Sequence, residues 1–294
     1  MYKYKTYGFT IESYFAIDFL QPFNTNKACE IIIERNQDLV TPKFIKNKET
    51  YSGGDISNFY IFKKKAVLIK ISNGKKIEIK HLRDKVSSDY LSKIILNAPL
   101  GFCIYQKRKC VLHASAIFNG KKAYLFMGLS RSGKSSIAAH FSKDFRFITE
   151  DVSIIDFENH KAYIRNGLPL IKLSNQIAGK YNFKDGYPIN DDERSYYVLN
   201  NINPKRESFE IDKCFLLDWS TKNSISKASD EEILRYFLLC NHSAFPHNSC
   251  KESSKMQMTY LKKVSKTIDF FVFQRQKKIN QISTNELKLL MKNG

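Results

Sequence analysis

What the chain lacks narrows its class first. No apolar run approaches the roughly 20 residues that span a bilayer, so no transmembrane helix is expected. The opening residues Met1–Thr10 mix tyrosines and lysines without a continuous apolar stretch. No export signal is therefore expected there, which points to a cytoplasmic location. The six cysteines, at positions 29, 103, 110, 214, 240 and 250, are irregularly spaced and contain no C-x-x-C. That pattern suits reduced thiols better than a disulfide framework. Negative charge is scarce too, with 29 Asp and Glu against 48 Lys and Arg, for a formal net charge of +19. Such an excess suits an acidic peptide or metabolite, nucleic acid, or a general compositional bias. The lysines run along the whole chain beside abundant Asn and Ile, which favours bias first and an acidic partner second. Nucleic acid comes last, because no reader motif is present.

What is present centres on Ala123–Asp151. An apolar run, Ala123–Met127, is short enough for a buried strand. It leads into Gly128-Leu-Ser-Arg-Ser-Gly133-Lys134-Ser135, a full match to the phosphate-binding pattern G-x-x-x-x-G-K-[ST]. The glycines permit backbone angles that let successive N–H groups turn toward a phosphate. Gly128, Ser130, Arg131, Ser132, Gly133, Lys134, Ser135 and Ser136 are the candidate nucleotide-binding residues. Lys134 supplies a point charge for β- and γ-phosphates, and the Ser135 hydroxyl can ligate Mg2+. Ser136–Ser142 reads as a helix whose N-terminal dipole faces the same anion.

A helix of about ten residues travels about 15 Å from the loop. The strand Phe145–Thr149 then returns about the same distance, and right-handed crossover sets it parallel to the first strand. Glu150 and Asp151 thus emerge at the loop's edge of the sheet, where carboxylates suit Mg2+ ligation and deprotonation of an attacking hydroxyl. A solvated acidic turn is the alternative.

Around this block, residues 1–105 read as a β-rich N-terminal domain and 106–294 as the core. Tyr4–Ile17 and Cys29–Arg35 are expected strands, and Ser52-Gly-Gly-Asp55 an expected turn. Phe59–Ile71 reads as a hairpin bending at lysines 63–65. Asn73-Gly74 is a tight-turn signal. His81 stands alone and reads as structural. Ser87–Ile104 has helical spacing, with Pro99-Leu-Gly101 as a candidate kink. Val111–Phe118 and Ala123–Met127 flank the hairpin signal Asn119-Gly-Lys-Lys122. Its two registers place His113 opposite Phe126 or Gly128, at the mouth of the loop in either case. A core or capping role for His113 weighs evenly against a functional one. Val152–Asp156 is expected to continue its strand, Glu158–Lys161 to turn, and Asn182–Asn201 to form a polar excursion. That excursion either carries Arg194 to the phosphates or lies on the surface, the second being favoured. Ile211–Trp219 and Ile268–Gln274 read as strands. Glu231–Cys240, Lys255–Val264 and Thr284–Lys292 read as helices. Cys240, His242, His247 and Cys250 lack zinc-site spacing and are read as incidental.

The block from His113-Ala-Ser-Ala through the loop to Phe145-Arg-Phe-Ile-Thr-Glu-Asp-Val152 resembles HPr kinase/phosphorylase and its relatives. It is most similar to those that phosphorylate lasso-peptide precursors on serine. Tyr4-Lys-Thr-Tyr-Gly8 and Gly167-Leu-Pro169 to Leu173 extend the likeness. The resemblance implies an α/β (α+β overall) fold with a phosphoenolpyruvate-carboxykinase-like P-loop core and a mixed sheet. It also implies ATP (or another NTP) and Mg2+ as cofactors. Lys134, His113, Glu150 and Asp151 would be catalytic, and Ser135 and Asp151 would ligate the metal. Two departures stand out: Arg131 replaces a usual glycine, and Glu150 replaces an Asp. The function expected is transfer of the γ-phosphoryl group to a serine hydroxyl of a peptide or small protein. A kinase of a small metabolite such as free serine, or a nucleotide-binding protein without turnover, are the alternatives. A homo-oligomer stays open.

Overall fold

Most of the short apolar runs in the described residues form strands, while the run Ala98–Tyr105 forms a buried helix. The computed structural model describes residues 1–189, 193–199, 206–240, 251–276 and 285–292. These form a mixed α/β protein with several sheets, in two units. One unit takes Met1–Val111 with His242–Met258, and the other takes Leu112–Asn241 with Thr259–Gly294.

The first unit holds β1 (Tyr2–Thr6), β2 (Phe9–Ser13), β3 (Ile31–Arg35), β4 (Thr50–Gly54), β5 (Asn58–Lys63), β6 (Val67–Ser72) and β7 (Lys76–His81). They make one seven-stranded sheet in the order β1-β2-β3-β7-β6-β5-β4. β3 runs parallel to both neighbours, and the other pairs are antiparallel. Ile31, Ile33, Ile77 and Ile79 alternate along β3 and β7 and are fully buried, as the period-two pleat requires. The Asn73–Gly74 turn forms with both residues at positive φ, the geometry that matches strand twist.

Three sequence expectations change here. Tyr4–Ile17 is a hairpin rather than one strand, because Tyr7 and Gly8 (φ 53° and 77°) make a second such turn. Ser52–Gly54 lies inside β4, paired with β5, and the chain turns after it. Ser87–Ile104 is two helices, α1 (Ser88–Ile95) and α2 (Ala98–Gln106). Pro99 falls in the first turn of α2, where its missing N–H costs nothing, so it starts a helix instead of kinking one. Phe102 of α2 stacks on Phe59 at 4.1 Å, and His81 bonds to the Tyr14 hydroxyl at 2.8 Å. His81 is thus a structural partner.

The chain passes from the first unit to the second within β8 (Cys110–Leu112). The second unit then contains β9 (Ala114–Phe118), β10 (Ala123–Met127), α3 (Lys134–Phe141), β11 (Arg146–Thr149), β12 (Ser153–Glu158) and β13 (Lys161–Arg165). Next come β14 (Leu170–Ser174), α4 (Asn175–Tyr181), β15 (Tyr187–Pro188), β16 (Arg194–Val198), β17 (Ser208–Trp219) and β18 (Ser224–Lys227). α5 (Asp230–Leu239), the second half of α6 (Lys251–Thr267), β19 (Asp269–Arg275) and α7 (Asn285–Lys292) complete it.

Its main sheet runs β11-β9-β10-β17-β13-β12, with β19 beside β17 and β18 beside β19. β10, β17 and β19 are mutually parallel, and β9 lies antiparallel between β10 and β11. β11 is therefore parallel to β10 but one strand removed from it. Phe126, Phe141, Phe147, Phe215 and Phe273 fill the core between this sheet and α3. Asn182–Asn201 is not wholly a loop, since β16 pairs with both β14 and β15 in a small antiparallel sheet. The described cysteines are free and buried. No described helix is long and apolar enough to cross a membrane. His242, His247 and Cys250 lie outside the described residues, as does Thr284.

Candidate functional site

The Gly128–Ser135 loop joins β10 to α3, the strand–loop–helix order its sequence pattern requires. Its backbone explains both glycines. Gly133 caps α3 at φ 81°, and a Cβ there would collide with the Arg275 guanidinium. A Cβ on Gly128 would strike the Ser132 hydroxyl and lie 3.0 Å from the Leu217 carbonyl oxygen. Arg131 also takes a left-handed conformation, φ 65°, where glycine would be unstrained. Leu129, Ser130 and Arg131 are exposed; Ser132 and Lys134 are buried; Gly133, Ser135 and Ser136 are half-buried. Lys134 Nζ donates to the carbonyls of Gly128 at 2.8 Å and Leu129 at 3.1 Å. Burial lowers its pKa, while Cys240, Asp151 and Glu150 oppose that and the Arg194 charge adds to it.

The hairpin before the loop pairs Ala123 with Phe118 and Met127 with Ala114, so His113 falls opposite Gly128. This is the four-residue-loop register. Val111–Phe118 is not continuous, since it breaks at His113 between β8 and β9. The His113 N–H donates to the Cys240 carbonyl at 2.7 Å. His113 Nδ1 lies 3.6 Å from Asp151 Oδ1. Burial lowers the histidine pKa and Lys134 adds to that, against the Asp151 carboxylate, which raises it.

Glu150 and Asp151 leave β11 at the same edge but do different things. The expected run of strand through Val152 is interrupted, because the Val152 N–H donates to the Glu150 carbonyl at 2.7 Å across Asp151, which sits at φ 63°. This three-residue turn of the strained hand points successive carboxylates into different surroundings. Thr149 Oγ1 braces it on the Val152 carbonyl at 2.8 Å. Glu150 is buried, accepts the Ser135 hydroxyl on Oε1, and accepts the Lys172 N–H on Oε2 at 2.6 Å. Burial, then the Asp151 charge, push its pKa up to about 8. Asp151 is half-buried and reaches solvent. The structure thus gathers His113, Lys134, Ser135, Glu150 and Asp151 at one sheet edge.

These groups fit an anion with a hard cation. The first N–H groups of α3 have no intrahelical acceptor, and the buried Ser132 hydroxyl has no hydrogen-bond partner among the described residues. Ser135 and Asp151 offer oxygen donors of the kind Mg2+ takes beside phosphate oxygens. Among the described residues, no group of three or more His, Cys, Asp or Glu side chains is arranged to hold a metal alone.

No family model matches this chain, and no curated protein matches it. Among solved structures, the Hpr(Ser) kinase/phosphatase from Coxiella burnetii aligns over 62% of this chain and 99% of its own. The identity is 11% and the TM-score 0.30. So distant a likeness decides neither fold nor activity.

Three neighbours of the loop carry no sequence motif. Arg275, at the end of β19, is 1% exposed and donates to the Ser132 carbonyl. Burial lowers its pKa to about 10, so it stays charged at neutral pH. Cys240, capping α5, bonds to the Gly128 backbone, and burial raises its thiol pKa. Lys172, on β14, holds Glu150. Arg275 had one topological signal: a charged residue ending an apolar strand belongs at the sheet edge where parallel strands deliver ligand-binding groups. Arg194, half-buried on β16, is close enough for its charge to act on Lys134.

Proposed function

We propose that this protein is an ATP- and Mg2+-dependent kinase that phosphorylates a serine hydroxyl on a peptide or small protein. The observation that carries the reading is the junction of loop and acidic pair, where the Ser135 hydroxyl donates to Glu150 and Asp151 stands beside it with an open carboxylate. Mg-ATP would supply the γ-phosphoryl group and the cation that neutralises its charge in transfer.

The chain's own residues divide the remaining work. The α3 N-terminus, Ser132 and Lys134 would bind the phosphates, and the Ser135 hydroxyl with the Asp151 carboxylate would hold the metal. Asp151 would orient the acceptor hydroxyl and take its proton. His113, neutral at pH 7 because burial lowers its pKa, would orient that carboxylate without competing for its charge. Glu150 would act through Ser135, fixing the hydroxyl's direction, because its own oxygens are already committed. Most of the rate would come from placement and fixed charge.

The test is incubation with Mg-ATP and serine-containing peptides, read by mass spectrometry. The reading expects one added phosphoryl group on serine, absent when Lys134→Met replaces the wild type. Phosphorylation of free serine alone would make the acceptor a metabolite. Tight ATP binding with no acceptor of either kind would make the protein a sensor.

A further inference from the structure

A second concave feature lies in the same unit, away from the loop. β12 and β13 are joined through Asn159 and His160, both in left-handed conformation (φ 47° and 60°), the turn that closes a two-residue hairpin. This turn faces the second half of α6 across a cleft of about 380 Å³. Leu261 and Val264 lie buried along one side of that segment, with Ile268 buried just after its end. Lys262, Lys263 and Lys266, spaced three and four apart, share the opposite face and line the cleft. Lys161 from the hairpin faces them, so four lysines meet one lining carboxylate, Glu158. Among the described residues, neither Lys262 nor Lys266 is in an ion pair. Lys263 Nζ lies 5.5 Å from the centre of the Phe157 ring, which forms part of the lining.

We propose that this cleft docks an acidic peptide segment. On the kinase reading, on which this part rests, the segment belongs to the phosphoryl acceptor. Charge complementarity selects an anionic occupant, and the Phe157 ring with the lysine stems offers an apolar wall to one of its side chains. The short hairpin-bounded hollow suits a few peptide residues. A nucleic-acid strand would need a longer basic track with free aromatic faces for stacking.

The position also sets a spacing. Glu210 Oε1 binds Lys161 at 3.0 Å and Lys122 at 2.6 Å, and Lys122 immediately precedes β10. The cleft rim therefore lies by the start of β10, whereas the loop leaves its end. Five strand residues at about 3.3 Å each separate the two ends by about 17 Å. An extended acceptor would then carry its acidic segment at least about five residues from the serine.

The test is fluorescence anisotropy with a labelled oligoglutamate peptide at physiological salt, on the wild type and a K262E/K263E/K266E variant. The result expected is saturable binding to the wild type, weakened about tenfold or more in the variant, with Mg-ATP affinity unchanged. A K262Q/K263Q/K266Q variant should fall between the two. Equal binding by wild type and variants would overturn the site. Tighter binding of a single-stranded oligonucleotide of equal charge, lost in the same variants, would overturn the peptide assignment. Binding is read without turnover, so a protein that docks oligoglutamate yet phosphorylates no peptide would support the cleft and contradict the kinase reading.

Discussion

The Arg275 guanidinium lies 4.3 Å from the centre of the Trp219 ring while donating to the carbonyl of Ser132 in the loop. The two residues are partners across the ends of parallel β17 and β19. Trp219 is the only tryptophan of the chain. One cation therefore links the candidate phosphate loop to a built-in fluorophore.

Mg-ATP should change Trp219 emission, because a new anion at the loop acts on the Arg275 charge beside the ring. Arg275→Met should remove most of that response and weaken ATP binding about tenfold, the scale of a lost charged hydrogen bond. Arg275→Lys, which keeps charge without the fork, should lie between. Titration followed by fluorescence and calorimetry checks both. An undiminished response in Arg275→Met would contradict the link.

Arg131 holds a left-handed backbone that costs a side-chain-bearing residue about 1 kcal/mol. Arg131→Gly should relieve it and raise the thermal midpoint by about 2–4 °C. A fall in midpoint would mean that contacts of the arginine outweigh the strain.

Glu150 gives the protein a pH signature. Its folded pKa of about 8 stands above the ordinary carboxylate value. The folded state therefore keeps a proton that the unfolded state has released, and stability falls as pH rises from about 4.5 to about 8. Urea melts across this window should show that decline in the wild type and a shallower one in Glu150→Gln. Glu150→Gln should also keep a measurable fraction of any turnover, since its role is to position Ser135. A slope unchanged by the substitution would refute the assignment.

His113 should set an acid limb. Below its lowered pKa it becomes a cation 3.6 Å from Asp151 Oδ1, which weakens that carboxylate as a proton acceptor. Turnover should fall only at pH values below the ordinary histidine range, and His113→Gln should flatten that limb at a lower plateau. An identical limb in His113→Gln would assign it to another group.

The parts of the candidate site that could be read from sequence were those specified locally. The loop's residues carry their geometry in their types, and the Asn119–Lys122 hairpin narrows His113 to two registers, both at the loop's mouth. The crossover from α3 brings β11 back with Glu150 and Asp151 at the loop's edge. Relations set only by tertiary structure were not legible. A charge ending an apolar strand marks Arg275 for a sheet edge, but nothing before it tells that β19 runs parallel to β17, so its place beneath Ser132 was not legible. The turn at Asp151 turns on a single positive φ in a residue other than glycine. The break between α1 and α2 was masked by apolar spacing continuous through Asn97, and β15 and β16 by a polar composition that reads as loop. In the first unit, Tyr7 in a glycine-like conformation concealed the hairpin of β1 and β2.

The most direct test of the central claim compares wild type with Asp151→Asn in Mg-ATP turnover on a serine-containing acidic peptide, with ATP affinity measured in parallel. The account predicts phosphoserine formation by the wild type, a loss of about a hundredfold or more in Asp151→Asn, and ATP affinity in the absence of Mg2+ within a few-fold. Equal rates in the two proteins, or ATP binding with no phosphoserine from either, would contradict it.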